Sequence, residues 1–217
     1  MKRTLVIALG FVMAVLSSLA GTPKQEMELT GVGIYYKPGQ NDDYDNGFGA
    51  EGQVRFWLNP NVGLALSCGV ATWQVDDRAA VISYGQAAAG ASFKGDVTLI
   101  PVGGSILFRP VNDDKIALTL EAGIRYVIIH SQAELEVAAV NANGAAVYAK
   151  DTLEIDNGFV GVLGANIEAK IEKNVSILAG IGYQFDLVKG DASWMGTKTG
   201  DNELKALMIK AGLSIKR

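Results

Sequence analysis

Cysteine, histidine and proline are scarce in this chain of 217 residues, which has one, one and five of them. The single cysteine, Cys68, rules out an intramolecular disulfide. One histidine and one cysteine cannot supply the nitrogen and sulfur ligands of a transition-metal shell. Long apolar runs are missing after residue 16, so nothing beyond that point reaches the roughly 20 apolar residues a membrane-spanning helix needs. Basic clusters are missing too: 19 Lys and Arg stand against 23 Asp and Glu, a net charge of −4 with no electrostatic footprint for nucleic acid.

The first twenty residues have the three parts of an export signal. Lys2 and Arg3 form a basic start, 4–16 is apolar apart from Thr4 and Gly10, and Ser18-Leu19-Ala20 offers small residues to a signal peptidase. The expectation is a leader over 1–20, cleaved near Ala20, and one domain over 21–217. Loss of Lys2 and Arg3 takes the net charge to −6. No lipid-acceptor cysteine follows the leader.

An exported chain without spanning helices has one other way to cross a bilayer, a closed barrel in which every backbone group pairs with a neighbouring strand. Eight segments alternate with the period of two that a strand with unlike faces requires. In 47–59, Phe48, Ala50, Gly52, Val54, Phe56 and Leu58 oppose Glu51, Gln53 and Arg55. Segments 115–129, 158–171, 175–187 and 207–215 repeat this split. Less cleanly, 28–36 sets Thr30, Val32, Ile34 and Tyr36 against Gly31, Gly33 and Tyr35, and 62–73 and 93–109 complete the set, the latter interrupted by Pro101. The connections alternate: 38–46, 74–92, 130–157 and 188–203 are long, whereas 59–61, 110–114 and 172–174 are short. Short turns at one end and long loops at the other, with an even strand number, are the topology of bacterial outer-membrane barrels. The predicted fold is therefore all-β, an eight-stranded antiparallel up-and-down transmembrane β-barrel in the outer membrane of a Gram-negative bacterium.

The charged face is also the face of small residues, among them Gly31, Gly33, Gly63, Ala65, Ser67, Gly69, Gly103, Gly123, Gly180, Gly182 and Gly212. Small side chains suit the cramped interior of eight strands, and the bulky continuous face suits lipid. Tyr36, Phe48, Tyr126, Phe159, Tyr183 and Phe185 would form one aromatic girdle, with Phe56 and Phe108 in the other.

Strand segments such as Gly123-Ile124-Arg125-Tyr126 and Ala179-Gly180-Ile181-Gly182-Tyr183 resemble those of the small porin-like outer-membrane barrels of the OmpA and OmpX type. The resemblance implies a lipid-embedded barrel inserted by the outer-membrane assembly machinery. The chain departs from that pattern at its end, Leu213-Ser214-Ile215-Lys216-Arg217, where such families carry a terminal aromatic residue.

Interior charge is the leading candidate for function. Glu51, Arg55, Glu121, Arg125, Glu168, Lys170, Asp186 and Lys210 fall on the inward face, four acids and four bases. Buried charges must be paired, because leaving one alone costs about 3–5 kcal/mol. The expectation is a self-neutralising plug, giving a structural barrel or a narrow, largely closed channel rather than an enzyme. His130 and Ser131, with Glu134 nearby, cannot form a dyad on a strand, since adjacent side chains point to opposite faces. Asp42, Asp43 and Asp45 read as a solvated loop, Gly31-Val32-Gly33 opens no helix that could bind phosphate, and neither a cofactor nor a metal is expected. Asn143-Gly144 is a strong hairpin signal. Flanked by apolar runs, it predicts a ribbon projecting from the long loop 130–157, and an exposed ribbon edge can take an extracellular partner. Adhesion or binding through that loop is the alternative function.

Overall fold

The computed structural model describes residues 26–39, 44–75, 79–84, 87–140, 146–152, 154–194 and 197–217. The leader expected over 1–20, Asp42, Asp43 and Asn143-Gly144 lie outside the described residues. In chain order the strands are β1 (Glu26–Pro38), β2 (Tyr44–Trp57), β3 (Val62–Val75), β4 (Ala79–Tyr84) and β5 (Ala87–Lys94). They continue with β6 (Asp96–Asn112), β7 (Ile116–Ser131), β8 (Glu134–Val140), β9 (Ala146–Thr152) and β10 (Glu154–Ile155). The last five are β11 (Gly158–Glu172), β12 (Val175–Val188), β13 (Gly190–Trp194), β14 (Thr197–Asn202) and β15 (Ala206–Lys216).

Eight of these strands close a barrel in the order β1-β15-β12-β11-β7-β6-β3-β2. Each pairs antiparallel with its neighbours along the chain, and β15 returns to β1 from Glu28↔Lys216 to Pro38↔Ala206. The architecture is the eight-stranded up-and-down barrel that the alternation predicts. The short connections are tight turns. At the first, Asn59 Oδ1 accepts the Asn61 and Val62 N–H groups at 2.9 and 2.8 Å, and Leu58 N–H donates to Val62 O at 2.9 Å. An Asx side chain that bonds to the backbone in this way holds a turn without tertiary help.

The outer wall is apolar. Leu163, Ile167, Ile177, Ile181, Ile209 and Leu213 are each at least half exposed, which a water-facing wall would not tolerate as one continuous belt but lipid would. Cys68 sits on this outer face. Ring pairs Tyr35–Phe48, Tyr126–Phe159 and Tyr183–Phe185 mark its loop end.

Strand β1 faces the opposite way from the sequence expectation. Its buried positions are Glu28, Thr30, Val32, Ile34 and Tyr36, so Gly31 and Gly33 point outward and Tyr36 is not a girdle residue. The reason is packing inside the loop half of the lumen. There Val32, Ile34 and Tyr36 join Trp73, Val97, Leu99, Val127, Val160 and Met208 in an apolar plug, with the Tyr36 and Trp73 rings 5.5 Å apart. An apolar face on one strand can therefore face inward as well as toward lipid. Phe56, on the outward side of β2, is also buried, which removes it from the turn-end girdle.

Three of the long connections, 74–92, 130–157 and 188–203, carry strands of their own. The β6–β7 ladder ends at Val97↔Ser131 and resumes beyond the barrel as β5–β8 at Lys94↔Glu134. Between the two stands Gly95 at φ +124°, where an added Cβ would lie 2.6 Å from Gln132 O. Only glycine fits both the left-handed backbone and that close approach. The expected hairpin forms, with β8 and β9 pairing up to Val140↔Ala146, but it is not a lone ribbon. Strand β5 covers one edge of β8, and β4 covers β5, giving a sheet in the order β4-β5-β8-β9. Connection 188–203 likewise folds into β13 and β14, which pair with each other, and β13 also pairs with β10.

Candidate functional site

The turn half of the lumen is charged, and its charged members come from six strands. Glu28 (β1), Arg55 (β2), Arg109 (β6) and Glu168 (β11) form a closed ring of alternating sign. Arg55 Nη1 lies 3.0 Å from Glu28 and 2.7 Å from Glu168, and Arg109 Nη2 lies 3.2 and 3.0 Å from the same two carboxylates. All four are nearly inaccessible to solvent. The remaining lone pairs and protons are taken up locally: Ser214 Oγ donates to Glu28 Oε1 at 2.6 Å, Trp57 Nε1 to Glu28 Oε2 at 3.0 Å, and Arg109 Nε to Thr119 Oγ1 at 3.1 Å. The Arg109 guanidinium also stacks 3.8 Å from the centre of the Trp57 ring, closing the turn end.

A second, open chain runs Glu51–Arg125–Glu121–Lys210. Its distances are 2.6 Å for Arg125 to Glu51, 3.3 Å for Arg125 to Glu121 and 3.1 Å for Lys210 to Glu121. Ser105 Oγ donates to Glu121 at 3.0 Å. Gln53 joins the two assemblies: its Nε2 donates to Glu51 at 2.7 Å, while its Oε1 accepts from Arg55 Nε at 2.9 Å. The two assemblies together hold four acids and four bases, so the network is neutral as a whole. Small residues make room for it; a Cβ on Gly103 would come within 2.8 Å of the Arg125 side chain.

Six of the eight residues expected from sequence meet here: Glu51, Arg55, Glu121, Arg125, Glu168 and Lys210. Two do not. Lys170 is exposed at the turn end of β11, where it donates to Asp113 O and to Asn112 Oδ1. Asp186 is half-buried near the loop end of β12 and accepts the Leu204 N–H at 2.8 Å. Lys210 stands opposite Gly180, six residues down that strand from Asp186, and so reaches Glu121 instead. Glu28 and Arg109 take the two places. Arg109 shares the inward parity of Ser105 on β6, and the need to pair its charge is the signal that the sequence offers. Glu28 is hidden by the reversed face of β1.

The remaining candidates are dispersed. His130 is exposed on the outer side of β7, Ser131 points the other way, and Glu134 pairs with Lys150 at 2.6 Å. Asp45 is exposed at the start of β2. Among the described residues no group of three His, Cys, Asp or Glu could hold a metal.

No protein-family model and no curated protein sequence matches this chain. Solved structures do. The outer membrane protein OprG from Pseudomonas aeruginosa superposes with a TM-score of 0.62 at 8% identity, covering 89% of this chain and 96% of that one. A major outer membrane protein from Thermus thermophilus gives 0.52 at 13% identity, covering 88% and 99%. With its closed ring of eight antiparallel strands and its lipid-type outer wall, the chain has the fold of the small transmembrane outer-membrane β-barrels.

Proposed function

We propose that this protein is an exported outer-membrane barrel whose lumen is closed, a membrane-anchored scaffold rather than a permanent pore. The filled lumen carries this reading. Ion-paired acids and bases occupy the turn half, and an apolar plug built around the fully buried Trp73 occupies the loop half. Eight strands enclose just enough space for side chains, so an aqueous path would need both layers to move. Conductance is expected to be low or intermittent with weak ion selectivity. Single-barrel recordings in a planar lipid bilayer test this; a large, steady current would defeat it.

Export by the leader over 1–20 and insertion by the outer-membrane assembly machinery belong to the same reading. Cell fractionation tests them, with intact protein in the detergent-free soluble fraction as the refuting result. The reading assigns no catalytic role.

The sheet beyond the barrel favours a second reading, binding of an extracellular partner. The four strands β4, β5, β8 and β9 project backbone structure from the loop end, and among the described residues their outer edges, β4 and β9, have no further strand paired to them. Deletion of 134–152, followed by a binding assay on whole cells, separates this role from a purely structural one.

A further inference from the structure

The two edges of the sheet beyond the barrel are unlike. Strand β9 carries Lys150 and Asp151, and Lys150 is engaged by Glu134 and Glu136 of β8. Charged side chains of this kind keep a sheet edge from taking up another strand. Strand β4 reads Ala79-Ala80-Val81-Ile82-Ser83-Tyr84, with no charge, no proline and no glycine. Among the described residues only β5 pairs with it. A short uncharged segment with β-branched and aromatic residues and no proline is the composition of a strand that pairs with copies of itself.

The direction of β4 selects the arrangement. Strand β7 climbs from the turn end to the loop end, β8 follows it, and β5 runs back against β8, so β4 points away from the membrane. Two copies side by side in one membrane present their β4 strands parallel. Copies in facing membranes present them antiparallel, the pairing that is more stable per residue. The sequence matches itself in that sense. A two-fold axis between Val81 and Ile82 sets Val81 against Ile82, Ala80 against Ser83 and Ala79 against Tyr84, a self-complementary contact with no opposed charges. The ladders put Ala79 level with Glu136 and Ser83 level with Val140. Counted from Tyr126 in the girdle, at about 3.3 Å per residue and a tilt of about 40°, these levels stand roughly 25 and 35 Å above the bilayer interface. Full overlap of two β4 strands then sets facing bilayers about 60 Å apart.

We propose that β4 is a homophilic adhesion edge, pairing antiparallel with β4 of a second copy of this chain in a facing membrane. The proposal rests on the reading of this sheet as a binding surface and names the partner. One short strand pair binds weakly, and many copies across two surfaces make the contact hold.

Vesicle clustering tests it, with the full barrel reconstituted in phosphatidylcholine vesicles at physiological salt and followed by light scattering. Wild-type vesicles are expected to cluster, with a bilayer spacing near 60 Å in electron cryomicroscopy. Ala80→Lys combined with Ser83→Lys places like charges opposite each other at both ends of the contact, and clustering should be lost. Ala80→Glu combined with Ser83→Glu should lose it for the same reason. Mixing the two charged populations opposes lysine to glutamate at both positions and should restore clustering. Wild-type vesicles that stay dispersed overturn the proposal, and so do lysine-bearing vesicles that still cluster. A mixture that stays dispersed overturns it as well, because the losses would then reflect damage to the sheet rather than lost pairing. Dispersed wild-type vesicles leave the broader reading of an extracellular partner standing, since that reading falls only if deletion of 134–152 leaves whole-cell binding unchanged.

Discussion

Removing the guanidinium of Arg125 is the most informative perturbation of the lumen. Arg125 is wholly buried and neutralises two acids, Glu51 at 2.6 Å and Glu121 at 3.3 Å. The two would not suffer equally. Glu121 keeps Lys210, Ser105 and a long bond from Gln53, whereas among the described residues Glu51 keeps only the Gln53 amide at 2.7 Å. Arg125→Ala therefore strands one carboxylate rather than two, and the expected loss is about 3–5 kcal/mol, that of a broken buried pair. The same asymmetry picks out the compensating change. Glu51→Gln in the Arg125→Ala background removes the orphan charge and should recover a large part of the loss. Glu121→Gln in that background removes an acid that still has a partner, leaves Glu51 orphaned and orphans Lys210, and should lower stability further. Urea unfolding of the three variants in lipid vesicles measures the free energies, and bilayer recording of Arg125→Ala should show longer open times. If Glu121→Gln rescued as well as Glu51→Gln, the assigned pairing would be wrong. An Arg125→Ala barrel equal to wild type in stability and current would refute the closed network.

Ile181 is 61% exposed near the middle of β12, so Ile181→Arg should cost about 2–4 kcal/mol in vesicle unfolding, as charges do on the lipid face at the midplane. Lys170→Gln, at the exposed turn end, should change stability by less than about 1 kcal/mol in the same assay. Gly95→Ala meets both a positive φ and Gln132 O, and should leave the barrel folded while making 87–94 and 134–140 sensitive to limited proteolysis. Hydrogen bonds from Lys189 and Lys205 hold the Glu203 carboxyl below its ordinary value. Its contribution to loop order is thus complete above the usual carboxylate range and is lost as pH falls through the lowered value, so amide protection factors over 188–194 and 197–205, corrected for the intrinsic pH dependence of exchange, should fall on that descent.

Much of the barrel is legible in the sequence because lipid and lumen impose opposite demands on alternate residues. Strands β7, β12 and β15 show this most clearly, with charged or small residues inward and branched aliphatics outward along most of their length. Strand β1 misleads because that rule fails where the lumen itself is apolar: Val32, Ile34 and Tyr36 look lipid-facing when their partners in the plug, Trp73 and Met208, are unknown. One strand's parity then decides a site residue, since turning β1 over brings Glu28 inside. The loss of Asp186 from the network has a different cause. Parity gives the face of a side chain but not its height in the barrel, and height depends on cross-strand register such as Gly180↔Lys210. The sheet outside the barrel is partly visible, in Asn143-Gly144 and its flanks. Its β4–β5 half is alanine-rich, most of all in β5, whose strand character comes from pairing with β4 and β8 rather than from propensity.

The ring of Glu28, Arg55, Arg109 and Glu168 also bears on how the molecule is assembled. Its members come from the first, second, fourth and sixth strands of the barrel, and Ser214 on the last strand completes the bonding of Glu28. No pair of consecutive hairpins contains a complete ring. A sheet still open along the β1–β15 seam can match Glu28 with Arg55, its direct partner across β1 and β2, but not Arg55 with Glu168 or Arg109 with Glu28, so a half-built wall gains little by entering the bilayer early. Insertion and seam closure are then expected to proceed as one cooperative event, with the electrostatics of the interior serving as the latch.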